Sequence, residues 1–340
     1  MKSYLSAFLL FLLLLKLVDE SISSRVPPSS TKVIFKKIGE NSLDNAKQKF
    51  SPQQPNSPPK QIEGLSFLKD YLSNFGYLQS SEPFNDYLDE ETITAIKTYQ
   101  QYFNLQPTGN INNETLHQIL LPRCAVPDMN FYYNFTDLKS WPKAGNQWFP
   151  MGKSLLTYGF QPMNEMTAEM KKVFTDAFTR WVRATAGVLK LTETTYDNAD
   201  IKVGFYRFDG RFKNLLFGGS VIRYQPDSNV TTGEIRLDLT DLWALPREED
   251  MLSQDGVLDL ESAAMHQIGH LLGLDHSNKE DSVMYPYMLP SQKRKVELSV
   301  SDKDNILQQY ANGNSGHGGR WGVLLFTILS LGFAFFVLGY

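Results

Sequence analysis

His266-Gln267-Ile268-Gly269-His270-Leu271-Leu272-Gly273-Leu274-Asp275-His276 is the stretch that decides how this chain folds. His266 and His270 are four residues apart, so on a helix their imidazoles leave one face a turn apart and converge on a single point. Gly273 permits a sharp turn, which returns His276 as a third nitrogen donor. Three neutral imidazoles hold a tetrahedral Zn²⁺ and leave one position open, as in a reactive rather than a purely structural site. Three of the five histidines in the 340-residue chain stand here, at a spacing that ordinary core histidines have no reason to share.

The residue after the first ligand departs from the H-E-x-x-H pattern, in which a glutamate takes a proton from zinc-bound water and passes it to the leaving group. This chain has Gln267. A carboxamide orients water but has no basic lone pair near neutral pH. Losing a positioned general base costs about 10²- to 10⁴-fold in rate. Glu261 lies five residues before His266 and projects elsewhere, and Asp275 sits in the loop between ligands, so neither carboxylate replaces it.

The stretch resembles the metzincin zinc site. Ser282-Val283-Met284-Tyr285-Pro286 resembles the Met-turn of the matrix metalloproteinases, with Met284 eight residues past His276. The resemblance implies that Met284 floors the metal and that Pro286-Tyr287 walls the pocket for the side chain after the cut. It also implies an α+β fold, a zincin-type twisted mixed sheet with three helices. The patterning agrees with strands at 155–160, 189–192, 199–205, 219–224 and 233–237. A long amphipathic helix carries Met166, Met170, Val173, Phe174, Ala177, Phe178 and Trp181, the ligand helix spans about 258–272, and a closing helix spans 301–310. An extended polypeptide is expected to lie along the edge strand near 219–222.

Upstream, Leu65, Leu68, Tyr71, Leu72 and Phe75 form one helical stripe that Gly76 ends, and Ile93, Ile96, Tyr99 and Phe103 form a second. A turn at 104–109 and a short helix at 113–121 complete a three-helix unit. The run from Thr98 to Gly109 resembles the peptidoglycan-binding-like prodomain of the same family. Pro122-Arg123-Cys124-Ala125-Val126-Pro127-Asp128 follows. It holds the only cysteine, and a thiolate is a strong ligand able to fill the open zinc position. Arg123 and Asp128 have the spacing to pair and support it. The segment resembles the family's cysteine switch, with Ala125 where the family has glycine; a positive φ there would strain alanine and loosen the latch.

Between Gly204 and Trp243 there is no histidine, whereas the family holds a second, structural zinc by three histidines and an aspartate. Arg223 and Arg236 resemble replacements at two of those histidines, and guanidinium cannot ligate a cation. One Zn²⁺ is therefore expected, the second is expected to be absent, and pairing of Arg223 and Arg236 with Asp209 or neighbouring carboxylates takes its place. Asp238 and Asp241 are compatible with Ca²⁺.

Formal net charge is only −4, without a basic aromatic-interleaved cluster, so nucleic-acid binding is not indicated. Residues 1–22 read as a secretory signal peptide with an apolar run from Ala7 to Leu15, and 23–60 as a proline-rich disordered leader. Residues 61–121 form the prodomain, 122–130 the switch segment, 131–311 the metallopeptidase-like domain and 312–340 a tail. Removal of the prodomain would cut near 130–133. Asn113, Asn134 and Asn229 head glycosylation sequons. The apolar block 321–340 lacks charged residues, which fits a glycosylphosphatidylinositol signal better than a membrane-spanning anchor, with attachment at Asn312 or Asn314. A monomer on the outer face of the plasma membrane, or in the extracellular matrix or cell wall, is expected. The short unit with this tail is most like plant members of the family. Two functions fit: a slow zinc endopeptidase of extracellular or wall proteins, or a pseudoprotease that keeps zinc, cleft and latch for binding. Gln267, Arg223, Arg236 and Ala125 all point to the second.

Overall fold

The computed structural model describes residues 34, 35, 37, 60–79, 83–129, 139–142, 148, 149, 153–162, 166–254, 256–289, 292 and 294–311. The signal peptide, Asn134, the cut near 130–133, the tail and its candidate attachment residues lie outside them. The N-terminal unit contains helices α1 (Leu65–Asn74), α2 (Glu90–Tyr102) and α3 (Asn113–Ile119) and a ribbon pairing β1 (Lys60–Gln61) with β2 (Tyr87–Leu88). Asp89 and Asn112 cap α2 and α3 by accepting the amides of Thr92 and Thr115, which removes orphan donors from each first turn. The stripes expected on α1 and α2 are buried against each other. The leader is not structureless throughout. Phe35 is fully buried, edge-on to Phe67 at 5.1 Å, because α1 leaves an aromatic hollow that its own stripe does not fill. Lys60 belongs to the ribbon rather than to a disordered leader.

The second unit contains β3 (Arg123–Cys124), β4 (Lys139–Ser140), β5 (Leu155–Phe160), β6 (Lys190–Glu193), β7 (Ile201–Tyr206), β8 (Leu216–Gln225) and β9 (Val230–Asp238), all in one mixed sheet. Its order is β6-β5-β7-β9-β8, with β3 and β4 both paired to the outer side of β8. β6, β5, β7 and β9 are parallel, and β8 runs antiparallel to β9. Alternate residues Ile201, Val203 and Phe205, with Ile235 and Leu237, are buried in the core shared with α4 (Ala168–Ala184) and α5 (Leu260–Leu271). A parallel pair, β10 (Leu242–Ala244) and β11 (Val257–Asp259), leads into α5, and α6 (Val300–Ala311) closes the unit.

Every residue of α5 from Ala263 to Leu271 is buried. Asp259 caps its start, accepting the Ser262 amide at 2.7 Å. Its end is held by side-chain donors: Trp148 Nε1 to the Leu271 carbonyl at 2.8 Å and the Tyr310 hydroxyl to that of Leu272 at 3.2 Å. Gly273, at φ 93°, reverses the chain, and the Leu274 amide bonds back to the Gly269 carbonyl at 3.0 Å, a helix stop that a side chain would strain.

Phe35→Ala is expected to lower the stability of the N-terminal unit by about 3–5 kcal/mol, since the vacated aromatic hollow cannot refill. Denaturant unfolding of the full chain checks this; an unchanged midpoint would return Phe35 to a leader without structural work.

Candidate zinc site

α5 presents His266 and His270 on one face, and the Gly273 reversal brings His276 beside them. Their imidazole centroids are 4.7 to 5.2 Å apart. Each ring is oriented by its Nδ1–H. His266 donates to the Val283 carbonyl and His270 to the Leu274 carbonyl, both at 2.8 Å, and His276 donates to Asp128 Oδ1 at 2.7 Å. These bonds turn all three Nε2 lone pairs inward. The Nε2 atoms of His266 and His270 then face each other at 3.1 Å, and His276 Nε2 is buried without a hydrogen-bond partner. Facing ring nitrogens and an orphaned buried polar atom are costly unless a cation lies between them.

Cys124 Sγ completes the cluster 3.6 Å from His270 Nε2, and the four donor atoms all lie within 4.8 Å of one another. Metal–donor bonds of about 2.0–2.3 Å make one sulfur and three nitrogens a fitting tetrahedral shell for Zn²⁺. Burial raises the Cys124 pKa, but His266 and His270 hold it well below the ordinary thiol value. Burial pulls His266 down to about 4, into the neutral form a ligand needs. For His276 burial also acts downward, yet the Asp128 carboxylate and the Cys124 sulfur push it up to about 9, so ligation through its Nε2 releases a proton. Met284 packs against α5 between the two helical histidines: a Cβ added to Gly269 would meet its sulfur at 2.4 Å, so any side chain there would displace the end of Met284.

Residues Arg123–Cys124 join the outer side of β8 as an extra strand. The Ala125 amide donates to the Gly218 carbonyl of β8, while the Cys124 amide bonds to the Pro286 carbonyl on the other side, each at 2.8 Å. This strand covers Leu216 and Gly218, and β4 covers Ile222 and Arg223, so of the edge expected for an extended chain at 219–222 Ile222 is already paired and 219–221 lies between the two. Ala125 is not strained: Asn104, Ala186 and Asn229 are the described non-glycine residues with positive φ. Strand pairing sets the backbone here, at a φ that alanine adopts without strain.

Arg123 is fully buried. Its Nη2 meets Asp128 Oδ1 at 2.8 Å, its Nη1 donates to the Tyr71 and Tyr287 hydroxyls, and its guanidinium lies 3.3 Å from the Phe75 ring centroid. Asp128 also accepts the Tyr77 hydroxyl at 2.8 Å. One carboxylate thus ties Tyr77 of the N-terminal unit, Arg123 and His276 together. Tyr287, expected in a pocket wall, instead packs among Tyr71, Tyr99 and Phe103 of the N-terminal unit, its hydroxyl 2.7 Å from that of Tyr99. The sequence offered no periodic signal for Tyr77, Tyr287 or Ser220. Asp302 was equally hidden; it accepts Ser282 Oγ at 2.5 Å and the Val283 amide at 3.0 Å, which fixes the Met-turn.

Gln267 points into the cluster, and Glu261 points away, towards Arg180 and Arg294. Arg223 and Arg236 both bond Glu234, at 2.6 Å and 3.1 Å from their Nε atoms. The neighbouring carboxylate is therefore Glu234, and these pairs do not involve Asp209. Asp238 Oδ1 accepts both the amide and the hydroxyl of Thr240 at 2.8 Å, a turn-capping role. Asn113 and Asn229 are exposed.

This sheet, ligand helix and histidine cluster define a zinc metalloproteinase scaffold. A matrixin family model matches residues 147–311, and a peptidoglycan-binding domain model matches 62–119. Metalloendoproteinase 5-MMP of Arabidopsis thaliana is 36% identical over 82% of this chain and 80% of its own length. Metalloendoproteinase 1 of Glycine max is 33% identical over 74% and 84%. Neutrophil collagenase of Homo sapiens is 26% identical over 72% of this chain and 49% of its own length. The chain belongs to the plant matrix metalloproteinase family.

Burial raises the Glu234 pKa, but Arg223 and Arg236 outweigh it and hold it below the usual 4.5. A depressed folded pKa gives stability that is complete above the unfolded value and lost as pH falls through the folded one. Glu234→Gln is therefore expected to cost about 1–3 kcal/mol at pH 7 and progressively less below pH 4.5. Unfolding curves of both proteins across that range check it; a constant difference would contradict the pairing.

Proposed function

We propose that this chain is a latent, zinc-binding, matrix-metalloproteinase-like protein of the cell exterior, with proteolysis strongly reduced or absent. The carrying observation is Gln267: fully buried at the metal cluster, it offers an amide where peptide hydrolysis needs a base. Zn²⁺, when bound by His266, His270 and His276, supplies Lewis acidity to a carbonyl in the cleft. The β8 edge would align an extended extracellular polypeptide by main-chain hydrogen bonds. Cys124, supported by Arg123 and Asp128, would close the cleft in the precursor.

In this reading residues 61–121 are the prodomain, 122–130 the latch and 131–311 the metallopeptidase-like unit. The signal at 1–22 and the tail at 312–340 would carry a monomer to the outer face of the plasma membrane, or to the matrix or wall. Asn312 or Asn314 would bear the lipid, and Asn113, Asn134 and Asn229 glycans. The Arg223–Glu234–Arg236 cluster supports a single zinc, its fixed charges standing where the family places a second ion. The alternative is an active zinc endopeptidase of matrix or wall proteins. Membership of a metalloproteinase family and the complete histidine set favour it.

A paired assay separates the two. In protein freed of residues 1–130, Gln267→Glu is expected to raise kcat/KM on a generic peptide by about 10²-fold or more. Equal, high rates for both would establish the endopeptidase. Metal analysis is expected to give one zinc per chain; two would contradict the single-ion reading.

A further inference from the structure

Gln267 is held at both ends. Ser220 Oγ on β8 lies 2.8 Å from Gln267 Oε1 and 2.9 Å from the Gln267 main-chain carbonyl, and Gln267 Nε2 lies 3.3 Å from Cys124 Sγ. The chemistry of the neighbours fixes which way the amide faces. A metal-bound sulfur is a thiolate and only accepts, whereas the serine hydroxyl can donate to Oε1, so the NH₂ group must face sulfur. The Val126 amide adds a second donor to the same sulfur at 3.4 Å. A carboxylate in this place would either set a second negative charge against the thiolate in a fully buried site or have to hold a proton before it could donate.

We infer that Gln267 is a latch residue: its amide, oriented by Ser220, clamps the Cys124 sulfur, so the exchange of acid for amide tightens closure of the precursor as well as removing the base. The proposal rests on Cys124 being the latch and is independent of whether the opened cleft cleaves peptides. Ser220 acts through Gln267, as a positioning residue. The closed cleft is then a state this sequence specifically favours: the donor that holds the sulfur occupies the position where a base would act once the sulfur left.

Cys124 is the chain's single thiol, so alkylation by iodoacetamide reads latch opening directly in the full-length, zinc-saturated protein. Gln267→Met keeps side-chain length and removes the donor, and Gln267→Glu adds charge. Both are expected to raise the alkylation rate about 10-fold or more, as loss of a hydrogen bond to a charged group predicts. Ser220→Ala should raise it less in the wild-type background and not at all in the Gln267→Met background. A wild-type thiol as reactive as that of the denatured chain would overturn the latch itself. A protected wild-type thiol with unaltered rates in the Gln267 variants would overturn the clamp alone. Additive Ser220 and Gln267 effects would overturn the positioning role.

Discussion

The convergence of three imidazoles and one thiolate on a single buried point is the constraint on which the rest of the molecule depends. Four donors of this kind pack together at a cost that a bound cation removes, and their directions are set by groups remote in sequence. His266 answers to Val283, whose turn is fixed by Asp302 of α6. His270 answers to Leu274, placed by the Gly273 reversal. His276 answers to Asp128, which follows β3. The cage therefore joins the Met-turn, the closing helix, the loop after α5 and the N-terminal unit in one network.

The N-terminal unit docks through a second buried group, the Arg123 guanidinium. A buried charge is costly unless paired, and Asp128, the Tyr71 and Tyr287 hydroxyls and the Cys124 carbonyl satisfy its donors. The face of Phe75 covers it. Removing any one of these would leave an uncompensated charge rather than a mere gap. Specificity of docking thus comes from polar satisfaction, while Tyr285 and Tyr287 join the apolar cluster of α1 and α2 and supply burial.

Much of this was legible in the sequence where a local rule applied. The i, i+4 histidine pair, the glycine turn and the apolar stripes on α1, α2 and α4 each follow from helical geometry, and the elements stand where those rules put them. The Arg123–Asp128 pair followed from spacing alone. What remained hidden depends on contacts between distant segments. Phe35 lies in a stretch whose prolines suggest no order, yet it completes an aromatic core built mostly by α1. Tyr287 reads as a pocket residue until the N-terminal unit is docked on it. Ala125 carries no strain because pairing with β8, not a left-handed turn, sets its backbone. The carboxylate for Arg223 and Arg236 is Glu234 because β9 places it diagonally across from Arg223, an adjacency only the register reveals.

Gln267 gives the site its character, since a metal cage is kept while the group that would move protons is exchanged for one that donates to sulfur. The most direct test of the cage is X-ray absorption at the zinc edge of the full-length protein. One sulfur at about 2.3 Å and three nitrogens at about 2.0–2.1 Å are predicted. A first shell of nitrogen and oxygen alone would contradict the account, because Cys124 would then lie outside the metal's coordination.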